Sequence, residues 1–360
     1  MQNLQRSKMK RALQLIVIVV LPLILLTGCG ERKNAADSGQ LYQITSTLPP
    51  VGIFRHLYIS QDLGYLAADY LNSIIVVDLQ NPASPVVIDT ISNYLFGPLY
   101  SCQISEETGF IYVESGMGAN FAQALFQFEL STVDNYSGTV PFFTGSPPME
   151  QYWVKEITHD SLGAALIDTL IFYINDNTET KKFQVQYAYT LGGYFGVYED
   201  KGYQALNVYG FALSDDYAYL AVDEYGMVIV SLTASAAETP VVGAFDTEGF
   251  CRGIAYQDGY CYLADRHWGL QIVDVSDPAN PVRTANLKFD GADDCFKVKI
   301  LGDRAVVLDQ YDGVFAVDVA DPANPQLLFN FDLVSPKDMV LTENYIYVVD
   351  EDMGLITANW

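Results

Sequence analysis

Basic residues are scarce in this 360-residue chain: 19 Lys and Arg stand against 44 Asp and Glu, a formal charge of −25 at pH 7. A surface of that sign repels phosphate backbones and anionic lipid headgroups, which argues against nucleic acid as a partner. Histidine is scarcer still, at three residues, so little material exists for an imidazole metal site or a His-based triad. The His-Glu-x-x-His, Gly-x-Ser-x-Gly and phosphate-loop patterns are missing, as is a full dinucleotide fingerprint, and no cofactor is implied. Long helix-period segments are also lacking, and no apolar run reaches the roughly 20 residues that a membrane-spanning helix needs. What is there is 50% hydrophobic, with 25 Tyr and 19 Phe, a composition that favours strands and supplies a large core.

The organising unit is residues 259–281. An apolar run ends in Asp265, a turn ends in Gly269, a second run ends at Asp274, and Asp277-Pro-Ala-Asn-Pro281 closes the unit. That order reads as strand, tight turn, strand, stiff turn. It returns at 304–325 with Asp309, Gly313, Asp318 and Asp321-Pro-Ala-Asn-Pro325, and at 64–85 with Asp69, Asp78 and Asn81-Pro-Ala-Ser-Pro85. Seven copies can be traced, at 55–69, 101–114, 153–168, 209–223, 251–265, 295–309 and 336–350. Their closing acids are 45, 54, 55, 42, 44 and 41 residues apart, so the extra length of copies two to four is expected in loops. Four short antiparallel strands per copy of about 40 to 45 residues is the signature of a propeller blade. In the sixth copy the strands are expected at 296–301, 304–309, 314–319 and 326–331. The last copy stops after its third strand, at 355–360, while 41–48 is a spare strand at the other end. The reading is an all-β chain: a seven-bladed β-propeller of four-stranded antiparallel blades over 41–360, closed by the N-terminal strand joining the last blade.

Ile75-Val-Val-Asp78, Gln271-Ile-Val-Asp274 and Phe315-Ala-Val-Asp318 resemble LVIVD repeats, found in bacterial and archaeal cell-surface proteins regarded as β-propellers. The resemblance spans 41–360, strongly in the C-terminal half and loosely between Met117 and Leu206. It implies fold and location. The biochemical role of that family is undefined, so the resemblance brings no catalytic residues with it.

Arg6, Lys8, Lys10 and Arg11 precede an apolar stretch at 15–26 broken only by Pro22, and Leu26-Thr27-Gly28-Cys29 follows. A basic segment before a short apolar one reads as an export signal over 1–28. The tetrapeptide resembles the lipobox of bacterial lipoproteins, which implies cleavage before Cys29, diacylation of that residue and anchoring to a membrane. Two acyl chains hold firmly, since each buried methylene contributes ~0.8 kcal/mol. Gly30 in place of an Asp implies the outer membrane, facing the periplasm or the exterior. Residues 29–40 are polar and read as a flexible tether. Without the signal, 15 basic residues remain against 44 acidic ones.

The acids closing the second strand of each copy are expected to accept N–H groups of the following turn. Asp309-Gln-Tyr-Asp312-Gly313 and Asp350-Glu-Asp352 lack the spacing of a calcium loop, and no metal site is expected. Arg55, Lys155, Arg252, Lys297 and Lys337 lie 12 to 14 residues before their closing acids, near the start of a first strand, and so converge on one mouth of the channel. Two readings stand. They form a funnel that concentrates an anionic ligand, or each pairs with a nearby acid such as Asp293 or Asp294. The same face carries Tyr70, Tyr225, His267, Trp268 and Tyr311 and an aromatic loop at 192–203, a recognition surface for a protein, peptide or glycan. A binding scaffold is therefore expected, taking an anionic glycan or peptide. The alternative is an exported lyase or hydrolase acting on a polymer, with Arg252, His267 and Tyr311 stabilising charge. His56 is expected to start a first strand, and His159 to lie in a turn at the opposite face. Cys251 and Cys295 start first strands of neighbouring blades; they either form a disulfide or remain buried thiols with Cys102 and Cys261.

Overall fold

The computed structural model describes residues 44–49, 52–69, 71–92, 97–105, 110–117, 122–129, 149–161, 164–175, 182–191, 194–203, 207–233 and 241–360; the side chains of 110, 114 and 116–203 are outside that description. All regular structure among these residues is β. After β1 (Ile44–Leu48), the strands fall into antiparallel sheets in chain order. The first sheet is β2 (Phe54–Ser60), β3 (Leu63–Ala68), β4 (Ser73–Asp78) and β5 (Val86–Ser92); the second is β6 (Leu99–Ile104), β7 (Phe110–Met117) and β8 (Ala122–Glu129). The third is β9 (Met149–Ser161), β10 (Ala164–Asn175), β11 (Lys182–Leu191) and β12 (Tyr194–Tyr203); the fourth is β13 (Gly210–Leu213), β14 (Tyr217–Ala221), β15 (Met227–Ser231) and β16 (Val241–Phe245). The fifth is β17 (Gly253–Gln257), β18 (Tyr260–Ala264), β19 (Leu270–Asp274) and β20 (Val282–Leu287); the sixth is β21 (Cys295–Leu301), β22 (Arg304–Asp309), β23 (Gly313–Asp318) and β24 (Gln326–Phe331). The seventh is β25 (Pro336–Leu341), β26 (Tyr345–Asp350) and β27 (Gly354–Asn359), with β1 as its fourth strand: Thr47 lies opposite Ile356 and Leu48 opposite Leu355.

The sheets pack face to face through their apolar sides. Phe54, Leu57 and Leu66 of the first sheet share a core with Tyr347, Val349 and Leu355 of the seventh. Val306, Leu308 and Val314 of the sixth share another with Met339, Val348 and Ile356 of the seventh. In the first and the fourth to seventh sheets, second and third strands are therefore covered on both faces, and residues 305–309 and 313–317 are buried without interruption. That explains runs such as Ile74-Ile-Val-Val77, which do not alternate: a strand covered on both sides has no polar face. Each such Val, Leu or Ile contributes roughly 1.5–3 kcal/mol relative to exposure. The fourth strands carry less of the core; in β5 only Ile91 is buried. First strands lie side by side, β2 against β6 and β25, β13 against β17, and β21 against both β17 and β25.

The recurring acids hold the turns. The Asp ending the third strand accepts the N–H two residues on: Asp78 from Gln80 (2.8 Å), Asp274 from Ser276 (2.8 Å) and Asp318 from Ala320 (2.9 Å). In the Asp-Pro-Ala-Asn-Pro segments, Asp277 and Asp321 each bond a backbone N–H and the Asn side chain three residues later. The acids closing the second strand act similarly at two sites. Asp309 Oδ1 accepts from Tyr311 and Asp312, and Asp350 Oδ1 from Asp352 and Met353.

Four expectations need correction. Glu114 and Asp168 do not close strands: Glu114 is inside β7 opposite Leu125, and Asp168 inside β10 opposite Tyr189. Thr169-Leu-Ile-Phe-Tyr-Ile174 continues the strand-favouring pattern past the acid. His159 lies in β9 opposite Leu166 rather than in a turn. The aromatic segment at 192–203 is not a loop, since 194–203 form β12 paired to β11; the Gly-Gly dipeptide before it is a hairpin signal. Cys251 and Cys295 are not joined by a disulfide. They are buried thiols, as are Cys102 and Cys261, and they sit on opposite faces of the fifth sheet: Cys251 in the core shared with the fourth, Cys295 in the core shared with the sixth.

Candidate binding face and the charge cluster of the first strands

Second-to-third-strand turns and the connections between sheets meet at one end of the sheets. Val334 and Ser335, which lead into β25, donate to Asp350 Oδ2 at the end of β26 (3.0 and 2.8 Å), and Asp294 N–H donates to Asp309 Oδ2 (2.7 Å). Most of the basic residues expected at this mouth are paired. Arg55 Nε and Nη2 donate to Asp69 Oδ2 (3.0 and 2.9 Å). Arg252 Nε donates to Asp223 Oδ1 (3.0 Å), and its guanidinium lies 4.0 Å from the Tyr209 ring centroid. Lys337 Nζ lies 2.9 Å from Glu351 Oε2. Arg266, absent from the sequence candidates, donates to Asp294 Oδ1 (2.8 Å). Its place in the turn just after Asp265 was the signal that could have found it. The pairing reading therefore replaces the cationic funnel: each of these guanidinium and ammonium groups has a carboxylate beside it, and little net positive potential remains. Lys155 is on β9 opposite Leu170, its side chain outside the described residues, as are Tyr70, Cys29 and the whole export segment.

Apolar side chains are exposed on this face among carboxylates such as Glu224, Asp293 and Asp352. Tyr311 is 70% exposed, Val334 60% and Tyr225 54%, with Leu71 and Phe250 also exposed. His267 is exposed beside Trp268 (ring centroids 5.7 Å apart), and Lys288 Nζ lies 3.5 Å over the Trp268 ring. Among the described residues no hydrogen bond or ion pair joins Arg252, His267 and Tyr311 to one another. Beneath the face, Asp265 is fully buried; burial raises its carboxyl to about 6, against a hydrogen bond from the Gln271 side chain.

Lys297 does not belong to the mouth. Pairing registers place His56 on β2, Lys297 on β21 and Asp338 on β25 at corresponding positions, each just past an irregularity at the start of its strand. Lys297 Nζ donates to Asp338 Oδ1 (2.8 Å) and to the Lys337 carbonyl (3.1 Å). Asp338 Oδ2 accepts the Leu57 N–H (3.1 Å) and lies 3.6 Å from His56 Nε2. His56 Nδ1 accepts the Cys102 N–H of β6 at 3.5 Å. That bond needs the lone pair on Nδ1, which fixes the neutral tautomer with its proton on Nε2, towards Asp338. Burial lowers the His56 pKa from 6.5 to about 4, with Lys297 and Lys299 adding to the fall and Asp338 opposing it. Against the cost of its own burial, Lys297, His56 and Lys299 together hold the Asp338 carboxyl well below its ordinary range. One polar chain thus links the sixth, seventh, first and second sheets. Among the described residues no group of three or more His, Cys, Asp or Glu could hold a metal ion.

The repeat unit built from these turns and buried third strands matches the model of the LVIVD repeat at residues 55–92, 207–235, 248–287, 294–333 and 335–357. The chain is an LVIVD-repeat protein. Solved structures similar to this LVIVD-repeat chain include the WD40 β-propeller domain of Doa1, at 11% identity and TM-score 0.57 over 88% of this chain and 96% of that one. A chain of the mitotic checkpoint complex matches at 8% identity and TM-score 0.61, over 95% and 99%. The computationally designed Ika8 protein matches at 7% and 0.58, over 89% and 100%. Likeness at such low identity shows the fold alone, and that fold is of the β-propeller kind. No curated protein matches the sequence.

Proposed function

We propose that this LVIVD-repeat protein is a lipid-anchored, extracytoplasmic binding scaffold: a seven-bladed ring, closed by β1 in the last blade, that holds a polypeptide partner on the face bearing Tyr225, Phe250, Tyr311 and Val334. Seven sheets among the described residues and the β1–β27 pairing support the closed ring. The tetrapeptide ending in Cys29 supports acylation and anchoring to a membrane, in the outer membrane by the Gly30 reading, and residues 29–40 serve as tether between the signal at 1–28 and the propeller.

The observation that carries the binding reading is the set of exposed apolar side chains on rigidly held turns, set among ion pairs. Aromatic groups fixed on turns contribute large contact area at little entropic cost, and partners dock on such groups. The paired bases remove the argument for an anionic ligand at this face, and the net negative charge favours a partner that presents basic and apolar groups. Full-length protein in detergent, probed on peptide and glycan arrays, tests this against the double variant Tyr225→Ser, Tyr311→Ser. A loss of tenfold or more in peptide binding is expected. Equal binding by the variant removes the face from the account, and hits confined to glycans assign it to sugars instead.

A further inference from the structure

Among the described residues, one positive charge on the first strands has no carboxylate at ion-pair distance, and it lies away from the exposed face. Lys299 is two residues beyond Lys297 on β21, so both side chains leave the strand on the same side. Lys297 is held by Asp338 and the Lys337 carbonyl. Asp338 in turn already accepts from Lys297 and the Leu57 N–H and faces His56. Its oxygens are spoken for. Among the described residues no carboxylate comes within ion-pair distance of Lys299, which is solvent-accessible. With His56 neutral, two ammonium groups face one carboxylate among the described residues, leaving one positive charge over among them.

That charge borders a cavity. A volume of about 190 Å³ lies between β21 and β25, lined by Lys299, Ile300, Leu301, Met339, Val340 and Leu341. Lys299 is its one charged wall, and the rest is apolar. The ammonium is reached by solvent, and so by a dissolved counter-charge, beside these apolar walls.

We propose that Lys299, with Lys297 behind it, forms a binding site for a small oxyanion of the phosphate or sulfate type between the sixth and seventh sheets. The anion accepts charge-assisted hydrogen bonds from the Lys299 ammonium and offsets the surplus charge of the cluster. The site is separate from the exposed apolar face and stands whether or not that face binds a polypeptide. Bound anion also opposes the influence of both lysines on His56, so imidazole basicity rises with occupancy.

Inorganic phosphate is the probe, titrated into the full-length protein in detergent at constant ionic strength set with chloride, so that screening stays fixed. Equilibrium dialysis reads binding, and NMR of the imidazole carbons reads His56 among only three histidines. Expected are saturable binding by the wild type, at least tenfold weaker binding by Lys299→Met, retention by Lys299→Arg, and a rise in the His56 pKa with phosphate. Lys299 is exposed, so neither variant disturbs a buried contact. Non-saturable uptake by the wild type, equal affinity in Lys299→Met, equal losses in both variants, or a His56 pKa that ignores phosphate would each overturn the proposal.

Discussion

Replacing His56 with Gln isolates one proton-linked contribution to stability. The fold lowers the His56 pKa from 6.5 to about 4, so between those values the unfolded chain takes up a proton that the folded chain refuses. A base depressed in this way contributes stability that is complete above about pH 6.5 and is lost as pH falls towards 4. Linkage sets the full loss at about 3 kcal/mol. The side chain is 31% exposed, and solvent access reduces the effect to about 1–3 kcal/mol. The wild-type curve alone does not reveal it. Asp265 has the opposite sign: raised from 3.8 to about 6, it withholds stability at neutral pH and returns it as pH falls. The two slopes offset each other in the same window, so the quantity to measure is the difference between the His56→Gln variant and the wild type. The substituted amide can offer an N–H towards Asp338 and a carbonyl to the Cys102 N–H without titrating. Urea melts followed by the fluorescence of the three Trp residues, at steps from pH 7 to pH 4.5, supply the free energies. His56→Gln should gain about 1–3 kcal/mol on the wild type across that range. Parallel curves, constant to within about 0.5 kcal/mol, would falsify the account of the imidazole.

Three further outcomes are expected. Asp338→Ala leaves Lys297 without its carboxylate and should cost about 3–5 kcal/mol in urea melts, whereas pairing it with Lys297→Met should recover part of the loss in a double-mutant cycle; full additivity of the two losses would argue against the pairing. Gly313 and Gly302 both have positive φ, but a Cβ at Gly313 would meet the Phe331 carbonyl oxygen at 2.3 Å while one at Gly302 meets nothing within 4 Å. Gly302→Ala should therefore cost about 1 kcal/mol, Gly313→Ala clearly more, and similar melting temperatures for the two would contradict that geometry. Burial raises the four thiols well above their ordinary range, so folded protein should resist iodoacetamide and melt at the same temperature with and without dithiothreitol; a reductant-dependent shift would reveal a disulfide.

The strands of the sixth repeat were legible to within one residue at each end. Strands expected at 304–309 and 326–331 lie at Arg304–Asp309 and Gln326–Phe331, because short apolar runs bounded by Asp, Gly and Pro leave few other ways to pair. Copies two and three misled because Glu114 and Asp168 look like closing acids although the strand-favouring pattern continues past them. The aromatic segment before Tyr203 misled for a related reason, its composition suiting an exposed loop and a paired strand equally well.

Sequence alone determined the repeat, its strand order and the turn acids, all of which depend on neighbours within a few tens of residues. Charge partners belong to another class. Arg252 pairs with an acid of the preceding sheet, and Asp338 collects its contacts from the sheets on both sides. Position along the chain placed Arg55, Arg252 and Lys337 near the starts of first strands, but only the packing of sheet against sheet decided which bases were neutralised and which, at Lys299, has no carboxylate among the described residues. Coulomb energy depends on distance through space, and those distances arise only once the first strands lie side by side.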